Sequence, residues 1–334
     1  MSGPSTTLPF TASRRAILAG AAASFATAPR ALAATPAFRL GTLPLGTATW
    51  EADTITRNGL DRAAGVTLDV VKLASNEAAR IAFISGSVDT IVGDLIFAAR
   101  LRAEGKRVRF LPYSSSEGGV MVAGASPVTS IEALRGKSIG VAGGPLDKSW
   151  ILLRAAALRG GLDLAKDAKP VFGAPPLLSA KLEGGELDAA LLYWNFCARL
   201  AAKGFREMAS AQSIVSSLGA GDGKVALLGY LLRDNADPQA LHGFAKASRA
   251  AKAMLASDSK AWTALRPIME APDEATFEAL RQAFIDGIPR RPRDMEIADA
   301  AALFALLAKL GGEPLVGAAK SLPDGLYVDQ ALYG

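Results

Sequence analysis

The chain has 334 residues, half of them hydrophobic, and a formal charge of +5. That length holds two domains of ordinary size, and the charge is too small to argue for nucleic acid or an anionic membrane as a partner. One cysteine, Cys197, and one histidine, His242, exclude an intrachain disulfide and the zinc sites built from three or four His or Cys ligands. Ser-His-Asp hydrolysis would rest on His242 alone, with no G-x-S-x-G elbow.

The first 34 residues read as an export signal. Consecutive Arg14 and Arg15 precede a soft apolar stretch from Ile17 to Ala28, and Ala31-Leu32-Ala33 supplies a small-x-small cleavage pattern. The paired arginines point to the twin-arginine route, which carries folded proteins. The apolar run is too short and too weak to span a bilayer of about 30 Å. Arg14, Arg15 and Arg30 belong to this leader, so the remainder carries +2.

After the leader, a strand over 38–43 and the loop PLGTATWEA precede a helical pattern reaching Arg62. Strands over 66–73, 89–92 and 107–112 alternate with helices over 77–85 and 95–103. A β-α-β-α-β-α-β series implies a largely parallel sheet with helices on its faces. The polar, glycine-bearing stretch SSSEGGVMVAG, 114–124, breaks the rhythm. A second series then repeats the layout with unrelated residues: a short helix at IEALRG, strands over 137–142, 169–172 and 188–193, and helices over 147–159, 175–183 and 196–202. The Ser- and Gly-rich SIVSSLGAGDG reads as a loop before a strand over 224–232. From Asp237-Pro238 onward the pattern is helical, over 239–256, 260–269, 274–285 and 297–310. Two crossings, near 114–122 and 210–226, divide the chain into a leader (1–34), a discontinuous lobe 1 (35–115 and 223–334) and a lobe 2 (116–222). The terminal helices are expected to pack on lobe 1. Two lobes joined by extended crossovers leave a cleft that closes on a ligand by hinge motion.

Four segments carry a family resemblance: FRLGTLPLGTATW, ARIAFISGSVDTIVGD, VTSIEALRGKSIGVAGG and LLSAKLEGGELDAALLYWNF. The chain, over roughly 38–310, resembles the periplasmic solute-binding proteins of ABC importers, in the nitrate/sulfonate/taurine and thiamine-pyrimidine-precursor (NitT/TauT-like) group. The helix-Leu-x-Gly-Lys-strand step and the helix-x-x-G-x-[LV]-D-A-strand step are structural signatures that speak for fold and hardly at all for ligand. The resemblance implies an α/β fold of the two-lobed periplasmic-binding-protein type (type II): two doubly wound lobes, a central cleft and C-terminal helices. It implies the substrate-binding component of an ABC transporter, not an enzyme. Such a receptor is a periplasmic monomer that delivers its solute to an inner-membrane permease and ATPase, with no cofactor, no metal and no nucleic acid.

In open α/β sheets, ligands lie beyond the strand C-terminal ends, which nominates Thr47, Thr49 and Trp50 after the first strand. Ser75 and Asn76 follow the second, where a helix start offers N–H groups to an anion or simply needs a cap. Asp94 ends the third strand and Ser115 lies in the crossover. Lobe 2 offers Gly143, Gly144 and Lys148, then Trp194 and Asn195. Trp50 and Trp194 sit at strand ends of different lobes and are placed to clamp a flat ligand; each also fits a packing role. The residues nominated are mostly hydroxyl, amide, indole and backbone, with no arginine among them. The ligand expected is a small polar organic solute, sulfonate-, taurine- or nitrate-like or pyrimidine-like. Two other readings stay open. One is an enzyme on the same fold. The other is a periplasmic accessory protein of a redox enzyme, or of a metal-chelate uptake system, that reuses the binding-protein fold.

Overall fold

The computed structural model describes residues 1–3, 35–44, 46–222 and 224–333. The chain divides into two units, Met1–Thr35 and Pro36–Gly334. The leader's arginines, apolar stretch and cleavage pattern lie outside the described residues. All that follows concerns the second unit.

It opens with β1 (Ala37–Thr42), α1 (Ala48–Arg57), α2 (Leu60–Ala63), β2 (Thr67–Lys72), α3 (Asn76–Ser85), β3 (Thr90–Asp94), α4 (Leu95–Ala103) and β4 (Val108–Ser114). The chain then builds β5 (Gly118–Val122), β6 (Ser138–Ala142), α5 (Lys148–Arg159), α6 (Leu164–Asp167), β7 (Lys169–Gly173), α7 (Pro175–Glu183), β8 (Ala189–Tyr193), α8 (Trp194–Ala202), β9 (Arg206–Ser210) and α9 (Ala211–Ser217). It returns with β10 (Leu228–Arg233) and finishes in α10 (Pro238–Ser257), α11 (Ser259–Met269), α12 (Glu274–Asp286), α13 (Arg293–Val316) and α14 (Gln330–Tyr333). Side-chain caps start many of the helices: Ser75, Asp94, Asp147, Ser210, Asp237 and Asp273 each accept a bond from a backbone N–H one turn in. Each cap is worth about 1 kcal/mol.

The strands form two five-stranded sheets, ordered β2-β1-β3-β10-β4 and β7-β6-β8-β5-β9. This is a two-lobed, doubly wound α/β architecture. The sheets are mixed rather than purely parallel: β10 runs antiparallel to β3 and β4, and β5 antiparallel to β8 and β9. In each sheet the antiparallel strand is the one laid down directly after a crossing, so each crossing is sewn into the sheet it enters.

The two lobes repeat one device. In lobe 1 a glycine-ended helix leads through Ser87-Val88 to Asp89, whose carboxylate accepts from the Arg39 backbone N–H at 2.8 Å and from its guanidinium at 2.7 and 3.0 Å. In lobe 2 the turn Gly185-Glu186-Leu187 leads to Asp188, which accepts from the Ser138 N–H and hydroxyl, each at 2.8 Å. Asp89 thus pins β3 to β1 in lobe 1, and Asp188 pins β8 to β6 in lobe 2. Burial raises both carboxyl pKa values, but these hydrogen bonds outweigh it and hold both below the usual carboxylate range. A lowered folded-state pKa contributes stability that is full above the unfolded value of about 3.9 and is lost as pH falls through the folded values. Stability to urea should therefore drop below about pH 4, and Asp89→Asn with Asp188→Asn should flatten that drop. Parallel pH profiles for the wild type and the double variant would count against this assignment.

Three sequence expectations change. The stretch read as a loop over 213–223 begins as helix α9, capped by Ser210, and β9 precedes it unannounced. The helix expected to run to Arg62 breaks into α1 and α2 at Gly59. The terminal helices do not confine themselves to lobe 1. α10 packs on α1, α2 and β1, but α12 packs on α8 of lobe 2, and α13, kinked at Gly312, touches both α5 and α4. The apolar stripe of a helix shows that it is covered, but not by which lobe.

Candidate functional site

The strand C-terminal ends of the two sheets bring four charged side chains together. Asp94 ends β3 in lobe 1. Asp147 and Lys148 start α5 in lobe 2, and Glu117 lies in the crossover just before β5. The Lys148 ammonium meets Glu117 Oε2 at 2.9 Å, with side chains only 12% and 6% exposed. Burial alone would lower the lysine pKa; the fields of Glu117, Asp147 and Asp94 outweigh it and hold Lys148 protonated. Burial pushes the carboxyls of Glu117 and Asp147 up, against the pull of Lys148. The second Glu117 oxygen, Oε1, is buried without a hydrogen-bond partner among the described residues.

Asp94 caps α4, accepting from the Phe97 N–H at 2.8 Å, and takes Arg80 at 3.2 Å. Arg80 reaches it from α3 while lying over the Phe97 ring. Asp147 caps α5 through the N–H groups of Ser149 and Trp150 at 2.9 and 3.2 Å. Gly143 has φ of +84°, and a Cβ there would stand 2.6 Å from Asp147 Oδ2 and 2.9 Å from the Tyr193 hydroxyl. A side chain at 143 would occupy the space in which those two groups approach. Burial, with Asp147 close by, also raises the Tyr193 hydroxyl.

The other nominated residues divide. Gly143, Gly144, Lys148 and Asp94 border this polar cluster. Ser75 caps α3 through the Ala78 N–H at 3.1 Å, and Asn76 beside it is exposed. Thr47 accepts from the Tyr113 hydroxyl at 3.3 Å, and the Thr49 hydroxyl donates back to the Gly46 carbonyl. Ser115 is not turned to a ligand. Its N–H and hydroxyl both donate to the Gly287 carbonyl, at 2.9 and 3.4 Å, and Ser116 donates to Ala283, so the crossover is clipped to the end of α12. Ser216 and Ser217, within the stretch read as a loop, belong to α9. Asn195 is half-buried in the first turn of α8, which has no side-chain cap.

Trp50 and Trp194 do meet across the lobes, but not as a clamp. Their ring centroids are 6.0 Å apart at 90°, edge against face, and Phe284 lies 6.0 Å from Trp50 and 6.4 Å from Trp194. Both indoles are buried, at 3% and 8% exposure. No gap remains between them for a flat solute in this arrangement, so they act as apolar packing that joins the lobes. Cys197 is buried with its thiol pushed up to about 12, and His242 is exposed on α10, its Nδ1 2.8 Å from the Pro238 carbonyl. Among the described residues no group of three or more His, Cys, Asp or Glu is placed to hold a metal ion. An open hollow of about 520 Å³, bordered by Thr263, Arg266, Pro267, Glu270, Ala271 and Pro272, lies at the end of α11 and gathers none of this charge.

Sequence reasoning missed Glu117, Asp147, Tyr193 and Arg80. Glu117 sits in the segment read as a polar crossover, and only the pairing of Gly118 with Tyr193 places it beside Lys148. Asp147 was visible as a helix start, where capping alone accounts for an aspartate.

No family model matches the chain, and no curated protein matches it by sequence. Solved structures do match in fold. The alkanesulfonate-binding protein SsuA from Xanthomonas axonopodis pv. citri, bound to MOPS, is 19% identical with a TM-score of 0.62, over 85% of this chain and 97% of that one. The periplasmic aliphatic sulphonate binding protein SsuA from Escherichia coli is 18% identical with a TM-score of 0.63, over 84% and 95%. The desulfurization enzyme DSZB is 17% identical with a TM-score of 0.58, over 89% and 97%. Binding proteins and an enzyme therefore share this architecture, and likeness at this identity speaks for fold and not for ligand. In fold, the chain is a two-lobed α/β protein of the periplasmic-binding-protein type with added C-terminal helices.

Proposed function

We propose that the chain is the substrate-binding component of an ABC importer, an exported receptor that holds a small polar organic solute between its lobes and hands it to a membrane permease. The observation that carries this reading is the gathering of Asp94, Glu117, Asp147, Lys148 and Tyr193 where the strand ends of both sheets face each other. Charged groups drawn from two lobes and a crossover into one buried cluster suit recognition by closure. The side chains there bind and orient; neither His242 nor Cys197 is among them, which favours capture over the chemistry of a fold-sharing enzyme. The leader pattern supports delivery to the periplasm. Thr47, Ser75, Asn76 and Asn195 border the same strand ends and belong to the proposed rim.

The test is a thermal-shift screen of the full-length protein against alkanesulfonates, taurine, nitrate, pyrimidines, amino acids and metal chelates. A true ligand at 100 times its dissociation constant should add about 2.7 kcal/mol, and the melting temperature should rise with ligand concentration. No shift with any class would overturn the receptor reading in favour of an accessory protein with a degenerate cleft.

A further inference from the structure

Three devices at the strand ends are of the kind that holds an anion, and the chain fills each with a carboxylate of its own. The N-terminus of α4 is closed by Asp94, which accepts from Phe97 at 2.8 Å. The N-terminus of α5 is closed by Asp147, which accepts from Ser149 at 2.9 Å and Trp150 at 3.2 Å. The one lysine of the cluster is taken by Glu117 at 2.9 Å. A sulfonate or nitrate needs free N–H groups or a free cation, and here it would displace an internal anion held in a buried setting. Asp94, Glu117 and Asp147 all act on Lys148 to hold its proton, so the field of the cluster favours positive charge.

A second, independent observation points the same way. Glu117 Oε1 is a buried acceptor without a partner among the described residues, on a side chain only 6% exposed. An unpaired buried acceptor is costly, more so when charged. Its sister oxygen holds Lys148, and Asp94 of the opposite lobe acts on the same carboxylate. The oxygen is therefore an empty docking point for a donor, inside a field that favours positive charge.

Resting on the receptor reading above, we propose that the solute carries a protonated nitrogen, an ammonium or amidinium, that donates to Glu117 Oε1. An anion lacking such a nitrogen is not its ligand.

The test uses matched probes on the full-length protein by titration calorimetry and thermal shift: ethylamine, benzamidine and taurine against ethanesulfonate and nitrate. Ethanesulfonate is taurine without its amine. The amine-bearing probes should bind, and ethanesulfonate and nitrate should not. Glu117→Gln should weaken amine binding at least tenfold. Asp94→Asn, which keeps the α4 cap, should weaken it several-fold and serves if the Glu117 variant fails to fold. Ethanesulfonate or nitrate binding as tightly as taurine, or amine binding indifferent to both substitutions, overturns the proposal and leaves the receptor reading standing. Silence from every probe, together with silence in the wider solute screen, removes both.

Discussion

Replacing Lys252 with methionine should lower stability to urea by roughly 3–5 kcal/mol, because it strands a buried carboxylate. Glu51 is fully buried on α1, and its two oxygens take Lys252 at 2.7 Å and the Ser248 hydroxyl at 2.5 Å. Lys252 also donates to Ser248 at 3.0 Å, and its ammonium lies 4.9 and 5.2 Å from the ring centroids of Tyr113 and Tyr230. Burial pulls the Lys252 pKa down, and Glu51 holds it back. Removing either partner leaves a desolvated charge; removing both leaves an apolar gap of similar size. The pair Glu51→Leu with Lys252→Met should therefore cost well under the sum of the two single changes. Urea titrations of the four proteins measure this coupling. Single losses below about 1 kcal/mol, the range of exposed pairs, would show the pair to be solvated. The network matters beyond stability, since it sits one residue from Trp50 and fixes Tyr113, whose hydroxyl reaches Thr47.

Gly118→Ala should be as severe. Gly118 opens β5 with φ of +113°, and a Cβ there would lie 2.0 Å from the Leu192 carbonyl oxygen and 2.7 Å from the Trp194 nitrogen. Both are backbone atoms of β8 and α8, which cannot rotate away as a side-chain end can. The crossover would have to lift off the strand it pairs with, and strain together with overpacking should cost roughly 2–5 kcal/mol. Because Glu117 precedes this residue, solute binding should weaken even in protein that remains folded. A melting temperature within a degree of the wild type would refute the contact.

The sequence carried the alternation of strands and helices well, because periodicity and caps are local. Gly86 to Asp89 and Gly185 to Asp188 marked equivalent turns in both lobes, and hydrogen bonds across |i−j| of 50 explain the aspartate in each. Strand partners were not legible: nothing local shows that β10 inserts between β3 and β4, or that β5 reverses the sheet beside β8. The candidate site was half legible. Lys148, Asp94 and Gly143 can be nominated from sequence because strand ends are local features, and they lie together in the structure. Glu117 was missed and Ser115 over-read because both lie in a crossing whose partners, Lys148 and Gly287, come from elsewhere in the chain. Trp50 and Trp194 fit either a clamp or a packing role by sequence, and their rings meet edge to face at 6.0 Å, as packing.

That meeting has a kinetic meaning. α12 lies on α8 while α11 behind it lies on α1, and Arg199 of α8 donates to the carbonyls of Met269 and Glu270 at 2.7 and 2.8 Å. The crossover serines are tied to the end of α12 as well. Parting the lobes drags a helix along its neighbour and wets the Trp50, Trp194 and Phe284 cluster. The protein sets the pace of that movement. On the receptor reading proposed above, capture at high solute concentration would run at the rate of that opening and no faster.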